Sequence, residues 1–305
     1  MKTRLFIALV ILSWSGSAAT LILKRTFIEQ FKDSATIDAT FTVDHAHKKP
    51  NQPADDGDMH VAGRAPKEIG LPMVAEIMNA ADTDAKVVSA IKTIHDNEGT
   101  SKTLSISGAW RVWFEHPPAQ GSQVQGATVP MAGNTNPDHC FEIHPVTKVN
   151  TNDLTATFHD VKGFPGKDTA TAFGAYEKLK ITLRATSTAV TMDSTKTGYN
   201  YVKFTLHTTG ALTKLKDGGF AVIADVLAEG GDEDEALASD VRMIFVPGTP
   251  PWKKVMSGLA IGDEMEVLGI PRLNLNAISA AINSKGGIPA GPRKLPYEMI
   301  VVGLE

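Results

Sequence analysis

Imidazole and carboxylate side chains recur together in the first half of the chain. Five of them are candidate metal ligands: His60, Glu76, His116, Glu142 and His144. Glu142 and His144 are two positions apart, so on an extended strand both project from one face. Neutral imidazole with carboxylate is the donor set of zinc and similar divalent ions, which take about four ligands. A water on such an ion becomes acidic enough near neutral pH to attack an ester or a phosphate. These residues therefore allow a metal-assisted hydrolase or nuclease that uses Zn²⁺ or Ca²⁺.

The same residues also fit a structure without metal. If residues 140–149 form a strand, alternation turns Phe141 and Ile143 inward and leaves Glu142 and His144 on the solvent side, where polar residues are common. The sequence has neither a His-Glu-x-x-His nor a Cys-x-x-Cys pattern. We therefore favour surface or structural histidines and assign no catalytic residue and no cofactor. A metal site requires three of the candidates to reach within about 2.0 to 2.2 Å of a common point.

A second set of candidates comes from the stretch GDMHVAGRAP and from a later strand. The ligand-binding candidates are Asp58, His60, Arg64, Arg111 and Trp113. Asp58 can tie the turn through its side chain, and an ion pair with Arg64 would brace it. Trp113 is the candidate binding platform, because alternation sends Trp110 and Phe114 into the core. The stretch is first a turn and strand that the fold needs, and second a site.

The elements that hold these residues follow from apolar periodicity. The first half predicts three strands, a helix and two strands, over residues 35–43, 59–63, 73–78, 82–99, 103–116 and 140–149. Asp82 or Thr83 caps the helix, and Gly108 lets the long fourth strand bend. This is the order of an OB-type barrel, a five-stranded Greek key with a helix between its third and fourth strands.

After Val149 the β-rich pattern starts again. Strand-like segments cover residues 179–192, 199–207, 220–228, 241–246, 262–275 and 296–304. A short helical stretch near 253–258 precedes the Gly262-Asp263 turn, as in the first half. We therefore predict a mainly β protein of two tandem OB-like barrels. The predicted divisions are a signal peptide at 1–19, an N-terminal tether or short helix at 20–34, the first barrel at 35–150 and the second at 151–305.

The first residues have the composition of an export signal. Lys2 and Arg4 precede the apolar run Leu5–Leu12, and Ser17-Ala18-Ala19 offers small residues to a signal peptidase. An uncleaved membrane anchor over residues 5–23 is the alternative, since about 20 residues span a bilayer. The single cysteine, Cys140, allows no internal disulfide and is expected to be a small buried hydrophobe. We expect a periplasmic or extracellular protein that is stabilised by packed cores.

Three stretches resemble a group of uncharacterised exported bacterial proteins built on an OB-like barrel: DGDMH at 56–60, MVAEI at 73–77 and FEIHPV at 141–146. Their order and spacing also resemble the staphylococcal nuclease barrel, in which an Asp-Gly-Asp turn opens the second strand. Asp56 and Asp58 match that turn, and the resemblance implies calcium-dependent phosphodiester cleavage. The arginine that the nuclease family carries at the start of its third strand has no counterpart in LPMVAEIMNA. The group that would stabilise charge on the phosphate is therefore missing.

The segment VRMIFVPGTPPWKKVMSGLAIGDEMEVLGIPR is similar to part of the OB folds that bind single-stranded DNA. Any OB barrel requires most of this pattern, so it supports the fold more than a ligand. Base stacking needs exposed aromatic side chains, whereas this chain is 7% aromatic and carries a formal net charge of −4. Nucleic acid is therefore a disfavoured partner.

Two functions follow. The leading one is an exported, non-catalytic module that binds a small ligand, a peptide or a glycan, or that supports an envelope assembly. The alternative is the metal-assisted hydrolase or nuclease, with its site on the first barrel. Contact with a membrane is expected only through an uncleaved N-terminal segment.

Overall fold

A computed structural model describes residues 18–82, 84–228 and 236–304. The strands of this part of the chain are β1 (Ala19–Lys24), β2 (Thr36–Ala46), β3 (Met59–Arg64), β4 (Met73–Ile77), β5 (Thr103–His116), β6 (Ser122–Val124), β7 (His139–Val149), β8 (Asn152–Asp153), β9 (Lys180–Ala185), β10 (Ala189–Ser194), β11 (Val202–Thr208), β12 (Thr213–Lys214), β13 (Phe220–Leu227), β14 (Ala238–Phe245), β15 (Glu264–Leu273), β16 (Arg293–Lys294) and β17 (Tyr297–Leu304). Its α-helices are α1 (Arg25–Phe31), α2 (Ala85–His95), α3 (Thr169–Tyr176), α4 (Pro250–Met256) and α5 (Leu275–Ile282).

The first barrel closes through β2, β3, β4, β7 and β5. Neighbouring strands pair antiparallel except β4 and β7, which run parallel with Met73 opposite Phe141. Helix α2 lies between the third and fourth strands and buries Val87, Ala90 and Ile94. This is the predicted OB topology, and it is confirmed.

The start of helix α2 differs from the prediction. Asp84 caps the helix, because its side chain accepts from the backbone N–H groups of Lys86 and Val87. Asp82 instead contacts His159, with Oδ2 3.0 Å from the imidazole Nε2. Thr83 lies outside the described residues.

The second barrel repeats the plan with β11, β13, β14, β15 and β17. Here too the third and fifth strands run parallel, with Ile244 opposite Ile300. Helix α4 stands between the third and fourth strands, with Pro250 in its first turn and a cap from the Thr249 side chain. The prediction of two tandem OB-like barrels is therefore confirmed.

A third sheet joins segments that are distant in the sequence. Its strand order is β16-β9-β10-β1-β6. The hairpin of β9 and β10 belongs to this sheet, so assigning residues 179–192 to the second barrel was wrong. The segment 20–34, which the sequence left as a tether or short helix, supplies β1 and α1. Leu21 and Leu23 of β1 are fully buried, so this segment is part of the packed structure.

The outer walls of the two barrels pack against each other. A hydrophobic cluster at this contact contains Met78 and Ala109 from the first barrel and Ile270 and Ile300 from the second. Tyr201, which precedes β11, joins the same cluster. One outer face of the first barrel is thus covered by protein instead of solvent.

None of the helices in the described ranges combines the length and apolar character needed to cross a membrane. The predicted signal peptide falls almost entirely on residues 1–17, which lie outside the described residues.

Candidate functional site

Most of the predicted metal ligands converge on the covered outer face of the first barrel. They form a group that we call the acid–histidine cluster: Asp58, His60, Glu76, His139, Glu142 and His144. Asp58 directly precedes β3, and Glu76 on β4 pairs opposite His60. Glu142 and His144 are two apart on β7, so they project from the same face as predicted.

The expectation that Glu142 and His144 face solvent was wrong. Their exposed fractions are 3% and 0%. Alternation does turn them away from the barrel interior, where Phe141 and Ile143 lie. The second half of the chain covers this outer face, and Tyr201 packs edge-on against the His144 ring at a centroid distance of 5.6 Å.

His144 lies at the centre of the cluster and contacts acids through both ring nitrogens. Its Nε2 is 3.1 Å from Asp58 Oδ2. Its Nδ1 is 3.3 Å from Glu76 Oε2 and 3.4 Å from Glu142 Oε2. The hydroxyl of Tyr201 donates to Asp58 Oδ2 at 2.6 Å and lies 2.9 Å from His144 Nε2. A side chain from the second half of the chain thus fixes the position of Asp58.

Glu142 has the strongest positive neighbours. Arg111, opposite it on β5, donates to Oε2 of Glu142 and at 2.7 Å to Glu115. His139 Nε2 lies 3.1 Å from Oε1 of Glu142, and its Nδ1 lies 2.7 Å from the carbonyl of Pro137. Because both acceptors are oxygens, His139 satisfies them best as a doubly protonated imidazolium.

Burial and neighbouring charge shift the cluster's titrations in opposite directions. Burial raises the pKa of Glu76 to about 8 and also raises the pKa of Asp58. Burial alone would lower the pKa of His144, but the charge of Glu76 raises it well above its usual range. Burial alone would raise the pKa of Glu142, but the charge of Arg111 holds it well below its usual range. Acids and imidazoles here compete for protons, and an entering cation must displace them.

Several buried polar atoms of the cluster have no hydrogen-bond partner. They are Asp58 Oδ1, His60 Nδ1, Glu76 Oε2 and His144 Nδ1; the last two lie 3.3 Å apart as an ion-pair contact that lacks hydrogen-bond geometry. Buried polar atoms without a partner are uncommon and costly, and each calls for a physical explanation. The cluster therefore has more donor and acceptor capacity than its own side chains use.

The remaining candidates lie apart from this centre. His116 stacks on His139 at a centroid distance of 5.1 Å, and its nearest acid is Glu115 at 3.9 Å. Arg64 pairs with Asp44 through Nε and Nη2, so the expected pair with Asp58 was wrong. Asp58 points toward His144, so Arg64 pairs instead with Asp44 on the neighbouring strand β2.

Trp113 is not an exposed platform. Its exposed fraction is 1%, and Tyr176 of α3 packs edge-on against it at 5.8 Å. Arg111 is fully buried and belongs to the barrel contact and the Glu142 pair. Neither side chain presents a surface to a ligand, because the second half of the chain covers both.

Sequence reasoning missed two members of this arrangement. His139 was adjacent to a recognised strand, three positions before Glu142, so its proximity was available from spacing. Tyr201 contacts Asp58 across 143 positions, and no local pattern links them.

A cleft in the second barrel has the position of an OB ligand site. Its volume is about 330 Å³, and it lies between β13, β14, the loop before β13 and the start of α5. OB folds bind ligands on the face of strands two and three, between the loops that join strands one to two and four to five. We call this feature the second-barrel cleft; its lining includes Asp33, Thr213, Ile223, Arg242, Asn274 and Asn276.

No protein-family model matches the chain, and no curated protein matches it. Among solved structures it is similar to a deletion mutant of the single-stranded DNA binding protein from Thermus aquaticus. The sequence identity is 9%, the TM-score is 0.21, and the match covers 88% of this chain and 91% of that chain. A TM-score this low does not establish a shared fold, so the fold is assigned from the strand pairings alone.

Proposed function

We propose that this protein is an exported, non-catalytic binding module that takes a peptide, a glycan or another small polar ligand into the second-barrel cleft. The observation that carries the proposal is the cleft's place in the fold. It occupies the position where OB barrels bind their ligands, and its volume of about 330 Å³ suits a few residues of peptide or sugar.

The polar groups of the cleft are held in place before any ligand arrives. Arg242 donates to Glu298 at 2.8 Å and to the carbonyl of Lys32 at 3.1 Å. Asn276 donates to Asp33 at 2.7 Å. Fixed polar groups reduce the ordering cost of binding and favour ligands with matching hydrogen-bond groups.

The strand that lines the cleft is aliphatic here, with Ala221, Val222 and Ile223 among the lining residues. None of the residues that line the cleft in the described part of the chain is aromatic. Nucleic-acid sites on OB folds depend on aromatic stacking, so this lining favours a peptide or a glycan over a base.

The proposal is tested by filling the cleft with a bulky side chain. Ala211 lines it and is exposed, so Ala211→Trp adds bulk without disturbing a core. Ala290→Trp, at an exposed position in a different depression, is the matched control. Labelled protein is applied to a glycan array, an array of extended polar peptides and an oligothymidylate strand.

We expect binding to glycans or peptides that Ala211→Trp abolishes and Ala290→Trp preserves. Preferred binding to oligothymidylate, or binding that Ala211→Trp leaves intact, would contradict the proposal.

The metal-assisted hydrolase has less support. Its candidate residues converge, but Asp58, Glu76, Glu142 and His144 are between 0% and 3% exposed. A catalytic metal keeps an open position for water and substrate. The second half of the chain covers this site, so neither water nor substrate can reach it.

Export is supported by the leader pattern of residues 1–19. We place the mature protein in the periplasm or outside the cell. An envelope assembly in which the cleft receives a segment of another protein is the peptide case of the same proposal.

A further inference from the structure

We propose that Asp58, Glu76 and His144 hold one divalent transition-metal ion, which acts as a structural cross-link inside the first barrel. The site is distinct from the second-barrel cleft and does not depend on what the cleft binds. Its three residues come from the turn before β3, from β4 and from β7.

The first support is the set of unused ligand atoms. Asp58, Glu76 and His144 each offer one ligand atom within 4.8 Å of the others. Asp58 Oδ1 is buried and has no hydrogen-bond partner, while Glu76 Oε2 and His144 Nδ1 face each other at 3.3 Å without the geometry of a hydrogen bond. All three residues are more than nine-tenths buried. A bare buried oxygen and a poorly aligned acid–imidazole pair are costly, and a bound cation would satisfy all three atoms.

The second support is the spacing. Ligand atoms about 2.0 to 2.1 Å from a tetrahedral zinc ion lie roughly 3.3 to 3.4 Å from one another. The separation of His144 Nδ1 and Glu76 Oε2 is 3.3 Å. His60 Nε2 is 3.5 Å from the same Glu76 oxygen, which makes His60 the candidate for a fourth ligand. These separations are long for hydrogen bonds and close to the edge of a metal tetrahedron.

The third support is the set of hydrogen bonds that neighbouring side chains make to the carboxylates of the cluster. Tyr201 donates to Asp58 Oδ2, which leaves Oδ1 for the ion. Arg111 and His139 engage both oxygens of Glu142, so that carboxylate is occupied and stays outside the ligand set. Outer-shell hydrogen bonds of this kind fix ligand orientation in metal sites.

The donor set indicates the class of ion. Two carboxylates neutralise a divalent charge, and imidazole favours zinc and its transition-metal neighbours over calcium or magnesium. The cluster contains no thiolate, since Cys140 is not among the grouped residues. The burial that disfavours catalysis suits a closed, structural site.

The experiment uses the whole mature protein, stripped with a chelator and dialysed. Co²⁺ is the spectroscopic probe, and Zn²⁺ content is measured by elemental analysis. We expect about one ion per chain, visible Co²⁺ absorption of low-symmetry N/O coordination, displacement by Zn²⁺ and no displacement by Ca²⁺.

Glu76→Gln keeps the side-chain volume and removes the charged ligand. We expect it to weaken Co²⁺ binding at least tenfold, since loss of one ligand from a small set removes much of the affinity. Glu98→Gln is the matched control, because Glu98 lies between two partly exposed histidines, 3.7 Å from His45 Nδ1 and 3.6 Å from His95 Nδ1.

Three results would overturn the proposal. They are a wild-type protein that binds neither ion, a Glu98→Gln variant that loses binding while Glu76→Gln retains it, and full displacement by Ca²⁺. If Glu76→Gln does not fold, anomalous diffraction at the zinc edge from wild-type crystals decides. A peak among Asp58, Glu76 and His144 supports the site, and a peak elsewhere or no peak refutes it.

Discussion

Arg111 and Arg272 each donate a hydrogen bond to the backbone carbonyl of the residue that precedes the other. Arg111 Nε donates to the carbonyl of Pro271 at 2.9 Å, and Arg272 Nη1 donates to the carbonyl of Trp110 at 3.0 Å. The arginines lie on β5 and β15, the fourth strands of the two barrels. The contact between the barrels is therefore reciprocal, as in an interface between two copies of one surface.

The acidic partners of the two arginines also occupy equivalent positions in the two barrels. Arg111 is paired across the sheet with Glu142, and Arg272 with Glu298, each on the fifth strand of its barrel. Equivalent residues thus occupy equivalent positions in two barrels that share little sequence.

Arg272→Met is expected to destabilise the fold by about 3 kcal/mol or more, because it leaves a carboxylate buried with fewer partners. Glu298 is fully buried and, within the described part of the chain, would retain Arg242 as its one basic partner. The guanidinium also donates to the carbonyls of Ser34 and Ala35, which would lose those bonds. Denaturant unfolding of wild type and variant measures the difference.

Arg184→Met is the control for that substitution. Arg184 pairs with Asp193, but its side chain is 61% exposed. Its loss is expected to cost about 0 to 1 kcal/mol. Equal losses in the two variants would show that the barrel contact contributes no more than a surface pair.

Tyr201→Phe is expected to cost about 1 to 3 kcal/mol, because Asp58 Oδ2 loses its hydroxyl donor while it stays buried. The ring itself is kept, so packing against His144 and Phe164 is unchanged. Tyr199→Phe, which keeps the ring that Lys167 overlies, is expected to change stability by less than about 0.5 kcal/mol. A Tyr201→Phe variant as stable as wild type would contradict a role for the hydroxyl in holding Asp58.

Cys140 is expected to be unreactive in the folded protein. Burial raises the pKa of its thiol to about 12, so almost no thiolate forms near neutral pH. The raised folded value means that the thiol's stabilising contribution is complete below about 8.5, its unfolded pKa, and is lost as pH rises through about 12. Reaction with a disulfide reagent at pH 8 should follow the unfolding transition, and fast labelling of the native protein would contradict this.

The leader is expected to be removed when the chain is expressed in a bacterium. Cleavage after Ala19 removes Lys2 and Arg4, so the formal charge changes from −4 to −6. Intact-mass measurement of protein from the periplasm or the medium should give a chain that begins at Thr20. A full-length chain in the membrane fraction would support the anchor instead.

Strand order was the part of the fold that the sequence predicted best. Alternation placed Trp110, Val112 and Phe114 in the core, and all three are buried. Gly108 marked the bend in β5, where the pairing with β7 shifts register. A Cβ at Gly108 would lie 2.5 Å from Ile143 Cγ2 and from the Pro145 carbonyl oxygen, so no other residue fits there.

Local sequence patterns could not predict that the outer face of the first barrel is buried. Alternation correctly turned Glu142 and His144 away from the interior, but it cannot tell solvent from a second barrel. The contacts that decide the matter, such as Tyr201 with Asp58, join residues far apart in the chain. The third sheet was missed for the same reason, since β1 pairs with a hairpin that precedes the other barrel.

The pairing of β1 with β10 also sets an order of assembly. Thr20 and Asp193, which hydrogen-bond across this pair, are 173 positions apart. The strands of the first barrel are complete at residue 149, whereas β1 lacks its antiparallel partner until β10 has been made up to Ser194. The edge of β1 that pairs with β10 is therefore open to other chains for a time set by the rate of elongation, and a holding chaperone would find its target at this end of the nascent polypeptide.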